Sequence, residues 1–186
     1  EVIERDALAL VWLRGLTPPR IDPAIVVELA GALLPPRDTA VAFDLTTDLG
    51  VPVVFVVCQG AGPRGSIVSV GAACATSPAR ALRKAALEAS QDRVYVRLLV
   101  DDDPEWTPSA GFDNVTDFSL HARLYSQHPE LARRGLSFLD GGPVAPLEED
   151  LEGTARAALD RLGLRGVAVD LTPPWARSLG LHVARV

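Results

Sequence analysis

Two short runs of side chains place oxygen donors and cationic groups at spacings that suit one pocket. Glu1, Glu4 and Arg5 open the chain, while Lys84, Glu88, Gln91 and Arg93 follow one another within SPARALRKAALEASQDRVYVRLLV, Ser77 to Val100. Glu1 and Glu4 lie one helical turn apart, and Glu88 and Gln91 repeat that spacing. Two such helices facing each other would surround one pocket with four oxygen-bearing side chains. Magnesium takes oxygen ligands and rarely has a closed protein cage, so a few such donors plus triphosphate oxygens suffice. Arg5 and Arg93 add planar forks that can hold phosphate oxygens bidentately. Plainer readings compete: Lys84 and Glu88 suit a solvated ion pair, and acids suit a helix N-terminus.

The second run needs a long helix to carry it. Ser77 is a suitable N-cap, and Pro78 occupies the first helical position, where its missing N–H costs nothing. At about 100° per residue, Leu82, Ala85, Ala86, Ala89, Val96 and Val100 form an apolar stripe, with Lys84, Glu88, Gln91 and Tyr95 on the other side. Arg93 falls inside the stripe, so its guanidinium must be paired or face a polar cavity. The first run is predicted helical from Glu1 to Arg14 and apolar on most faces, the pattern of a buried helix.

Between these helices the pattern predicts a helix over Pro23 to Leu34 and strands at Ala40–Leu45, Pro52–Cys58 and Ser66–Val70. Asp44 and Asp48 serve the turn DLTTDLG, and Gln59 to Ser66 forms a hairpin tip without the lysine of a P-loop. Beyond the long helix come an acidic loop, DDDPEWTPSAGFDN, and a helix at Phe118–Ser126. An amphipathic helix at Leu147–Leu162 has Glu148, Glu149 and Asp150 in its first turn. A buried strand in GVAVDLT, a crossover PPWARSLG and a closing strand LHVARV follow. These elements amount to an α+β fold, a mixed β-sheet packed with helices.

The chain has 186 residues, 48% of them hydrophobic, enough for one sizeable core. Its net charge of −6 offers no basic field for nucleic acid, and no apolar run has the roughly 18 residues of a membrane span. Cys58 and Cys74 lie far from any His/Cys cluster. They read as free thiols of a reducing cytoplasm rather than zinc ligands. His121, His128 and His182 have no metal-binding spacing, and three adjacent acids at Asp101–Asp103 suit solvent better than a cation.

GAACATSPARALRKAALEASQDR resembles the core signature of the YcaO-domain family, a small-residue turn followed by A-L-x-x-A-x-x-E-x-x-Q-x-R. The matching residues are Gly71, Pro78, Ala81, Leu82, Ala85, Glu88, Gln91 and Arg93, and EVIERDA is similar to the family's E-x-x-E-R-D segment. The resemblance runs the whole length, through VAFDLTTDLGVPVVFVV, DFSLHARLYS and GVAVDLTPPWARSLGLHVARV. It implies a single YcaO-like domain over 1–186, its middle and C-terminal part, incomplete at both ends.

The resemblance also implies ATP and Mg2+ as cofactors, with Glu1, Glu4, Glu88 and Gln91 holding the metal and Arg5, Gln91 and Arg93 the nucleotide. Arg80 departs from the pattern, since an acid is common near that point. The implied reaction is ATP-dependent activation of a peptide backbone amide. Azoline rings then form from Cys, Ser or Thr of a ribosomally made precursor peptide. Thioamide formation, an accessory role in modifying a ribosomal protein and a non-catalytic peptide- or enzyme-binding role are the alternatives. The implied partners are the precursor peptide, a leader-peptide-binding protein and a second copy in a homodimer.

Overall fold

The structure, a computed structural model, describes residues 1–62, 65–135, 137–147, 155–167 and 169–185. Its centre is a run of valines. VPVVFVV is apolar at successive positions because β3, Val53–Gly62, is covered on both faces. β3 pairs antiparallel with β2 (Thr39–Asp44) on one side and β4 (Gly65–Cys74) on the other. β1 (Arg20–Ile21) adds antiparallel to β2, and β5 (Val144–Ala145) adds parallel to β1. The mixed sheet therefore runs β4-β3-β2-β1-β5, leaving β4 at one edge.

Alternation along β3 sorts the core into two layers. Val54, Val56 and Cys58 point to the side of α2 (Pro23–Ala30) and α3 (Pro78–Asp102), where Leu82, Ala85, Ala86 and Ala89 are fully buried. Val53 and Phe55 point to the opposite side, against Ala7 and Val11 of α1 (Val2–Arg14) and against Phe138. Phe138 meets Phe43 edge-on, with ring centroids 5.2 Å apart.

The close approach of α3 to β4 depends on small residues. A Cβ built on Gly71 would lie 2.2 Å from the Ala85 carbonyl oxygen and 2.5 Å from the Ala89 nitrogen. No side chain fits there, so glycine fixes how near the helix backbone comes to the strand. Ser77 holds the N-cap position in extended conformation, but its side chain makes no capping bond. α1 ends at Gly15, whose φ of 59° is the left-handed conformation that glycine accepts without strain.

Several elements differ from the sequence expectation. α1 buries one face only, with Trp12 and Leu13 exposed. β4 is longer than Ser66–Val70 because its pairing with β3 continues to Cys74. A short α5 (Pro129–Gly135) follows α4 (Phe118–Gln127). The strand expected to be buried in GVAVDLT is β6 (Val169–Asp170), exposed and, among the described residues, paired only with β7 (Ala184–Arg185) across α7 (Pro174–Ser178). Of the expected helix Leu147–Leu162, the described part is α6, Ala155–Leu162; Glu148, Glu149 and Asp150 lie outside the described residues.

Candidate active site

β4 pairs with β3 through alternate residues, so the N–H groups of Val68, Val70, Ala72 and Cys74 point outward. Each finds a side-chain acceptor in place of a neighbouring strand. Val68 donates to Ser126 Oγ at 3.0 Å, Val70 to Asp92 Oδ2 at 2.9 Å, Ala72 to Glu88 Oε2 at 3.0 Å, and Cys74 to Glu4 Oε2 at 3.0 Å. The acceptors come from three helices, α1, α3 and α4, and follow the two-residue period of the strand. Successive outward donors lie about 7 Å apart, which sets Glu4 and Glu88 side by side.

Local structure explains this placement. Gly71 brings the Glu88 Cβ against the strand, so the carboxylate only has to curl onto the next outward N–H. Asp92, one helical turn on, repeats the contact one strand step away. Burial raises the Glu88 pKa, opposed by the Ala72 N–H; Glu4 and Asp92 raise it further and Lys84 lowers it. Burial also raises Asp92, against the Val70 N–H.

A cavity of about 530 Å³ opens at this corner, lined by Glu1, Glu4, Arg5, Lys84, Glu88 and Gln91 above Ala72–Cys74. The structure thus brings together Glu1, Glu4, Arg5, Glu88 and Gln91 from two helices. Arg5 pairs with Glu1 at 2.5 Å on the exposed rim. Arg93 does not join them. Five residues past Glu88 it has turned about 140° around the helix. There its fork holds the buried Asp38 carboxylate through Nε at 2.7 Å and Nη2 at 3.0 Å, and it also donates to the Ala61 carbonyl. Burial raises the Asp38 pKa, opposed by this guanidinium.

Lys84 is not the partner of Glu88. Its Nζ donates to the Cys74 carbonyl oxygen at 3.4 Å, and no described carboxylate lies at ion-pair distance from it. Asp92 and Ser126 went unnoticed in the sequence, although Asp92 stands four residues from Glu88 on the same helix. A second, apolar cavity of about 550 Å³ lies beyond them, between Leu8 and Trp12 of α1, the β3–β4 face and α4.

The donor set suits a hard divalent cation. Glu4 and Glu88 each spend one oxygen on a backbone N–H, leaving the other carboxylate oxygen, and Gln91 adds an amide oxygen. No cluster of three or more His, Cys, Asp or Glu able to hold a metal occurs among the described residues, so the protein alone forms no closed cage. A cation here would take its remaining ligands from water or a bound phosphate.

A family profile described as "YcaO cyclodehydratase, ATP-ad Mg2+-binding" matches residues 1–186. Among curated proteins none matches the chain. Three solved structures share its fold at low identity. "The structure of YcaO from Methanopyrus kandleri bound with AMPPCP and Mg2+" superposes with a TM-score of 0.61 and 20% identity, over 99% of this chain and 48% of its own. A "Heterocyclase in complex with substrate and Cofactor" gives 0.59 and 22%, over 99% and 24%. An "E. coli Microcin synthetase McbBCD complex with pro-MccB17 bound" gives 0.58 and 19%, over 92% and 46%. The chain therefore spans less than half the length of each.

Proposed function

The chain belongs to the YcaO cyclodehydratase family, and from that premise we propose that it serves ATP- and Mg2+-dependent activation of peptide backbone amides, forming azoline rings from Cys, Ser or Thr of a precursor peptide. The observation that carries this reading is the pair Glu4 and Glu88, seated on alternate N–H groups of one strand edge and facing a polar cavity.

Bound ATP with Mg2+ would supply the phosphoryl group that turns the amide oxygen into a leaving group. The chain's own part is positioning and charge, the main terms in phosphoryl transfer. Glu4 and Glu88 offer fixed oxygens to the metal, with Glu1 and Gln91 completing the donors on the same two helices. The backbone N–H groups hold the two central carboxylates in orientation, so little reorganisation remains when the metal arrives. Arg5 stands at the rim for a phosphate oxygen. Arg93 we leave out of the nucleotide set, because Asp38 engages its fork.

The test is Glu88→Gln in the full-length protein, which keeps an acceptor for Ala72 but removes the charge. ATP-dependent loss of one water per ring from a candidate peptide should slow on the order of 10²-fold or more, roughly 2.7 kcal/mol of barrier. Near-wild-type turnover would refute the assignment. A second reading, a non-catalytic peptide- or enzyme-binding protein, draws on the lack of a three-carboxylate cluster among the described residues. It predicts peptide binding without turnover in the wild type.

A further inference from the structure

Lys84 has no role in the metal set, yet it faces the same cavity. It is the chain's only lysine. Its ammonium rests on the Cys74 carbonyl, a neutral acceptor, while the N–H of that same residue holds Glu4. The side chain is thus drawn to the strand edge by one contact, with two of its three donors left over. The charges around it make those donors consequential. Among the groups lining the cavity, Arg5 is engaged by Glu1, whereas Glu4 and Glu88 have no cationic partner at ion-pair distance. Two carboxylates and one divalent cation balance each other. An anion carried in with that cation would then find Lys84 as the one cationic side chain, among the described residues lining the cavity, with no acid at ion-pair distance.

We infer that Lys84 receives the phosphate end of a nucleotide in this pocket, an inference that rests on the nucleotide reading above. An ammonium on a flexible stem contacts phosphate as a point charge and adjusts to it, which suits a group that starts on a weak carbonyl contact. The same charge works in the other direction before nucleotide arrives, because a cation beside Glu4 and Glu88 opposes a second one. Lys84 therefore disfavours bare metal and favours metal accompanied by phosphate, and this opposition of sign separates it from a merely structural residue.

The experiment uses the full-length protein with Lys84→Met, which keeps the stem, and Lys84→Arg, which keeps the charge. Calorimetry measures ATP with Mg2+, and adenosine as the probe without phosphate; Mn2+ alone is followed by electron paramagnetic resonance. Lys84→Met should bind ATP with Mg2+ roughly tenfold or more weakly, leave adenosine within about twofold, and bind Mn2+ more tightly, while Lys84→Arg stays near wild type. Unchanged ATP affinity in Lys84→Met would overturn the inference and leave the nucleotide site standing. Equal losses for ATP and adenosine, or weaker Mn2+ binding, would overturn it in favour of a structural role. A wild-type protein that binds no ATP would overturn the inference together with the nucleotide reading.

Discussion

Asp92 shows what a carboxylate costs on this strand edge. It is drawn out of water to accept the Val70 N–H, and the loss of hydration outweighs that bond, so its pKa is raised. A raised carboxylate pKa means that the folded state holds the proton more tightly than the unfolded one. Stability tied to Asp92 is then largest below its unfolded pKa, near 3.8, and is lost as pH rises through the folded value. At neutral pH the charge is a burden the fold carries. Asp92→Asn keeps an oxygen for Val70 and sheds that charge. Urea midpoints should show the variant at least as stable as wild type at pH 7, with the difference shrinking as pH falls toward 4. A variant that is less stable at pH 7 would show that the ionised form is required.

At the scale of elements, the decisive contact is α3 on β4. Gly71→Ala would drive a methyl group into the Ala85 carbonyl and Ala89 amide, both backbone, which cannot swing aside. Overpacking of this kind costs about 1–3 kcal/mol, and the Glu88–Ala72 bond should lengthen as the helix lifts. Chemical denaturation measures the first effect; amide exchange at Ala72, faster than in wild type, measures the second. Wild-type stability and exchange in Gly71→Ala would refute this account of the packing.

Much of this architecture is legible in the chain. The apolar stripe of α3, the run VPVVFVV and Pro78 announce a long helix over a buried strand, and the two charged motifs contain Glu4 and Glu88, which line one cavity. Local pattern does not carry the rest. Which helix face meets a strand edge depends on how close Gly71 lets the backbones come, and nothing in the periodicity tells Lys84 to leave Glu88 for the Cys74 carbonyl, ten places back along the chain. The same holds for Arg93: the stripe shows that it needs a partner, and only the fold supplies Asp38. The strands β6 and β7 fall within the expected segments GVAVDLT and LHVARV, but two residues of pairing leave too little pattern to show that β6 is exposed.

For the molecule as a whole, the two faces of the sheet are closed by separate layers, while the candidate site sits at the corner where α1 and α3 converge. Ligand that bridges two helices adds to the free energy of the whole fold. At a hundred times its Kd, ATP with Mg2+ should stabilise the full-length protein by about 2.7 kcal/mol, which is several degrees in Tm for a domain near this size. Glu88→Gln should lose most of that shift, read by scanning calorimetry with and without Mg2+. No shift in the wild type would argue against a nucleotide site between these helices. No described helix is long and apolar enough to cross a membrane.

The row of acceptors along β4 has one more consequence, for how substitutions at this corner are interpreted. A sheet edge with bare N–H groups is a template onto which another chain can add, and here Ser126, Asp92, Glu88 and Glu4 stand in its way. The residues proposed for chemistry are therefore also gatekeepers against aggregation. An alanine at Glu4 or Glu88 removes a proposed metal ligand and opens the edge at once, so an insoluble or associated variant would be mistaken for a catalytically dead one. Glutamine keeps the gate shut while removing the charge, and only substitutions of that kind keep chemistry and self-association apart.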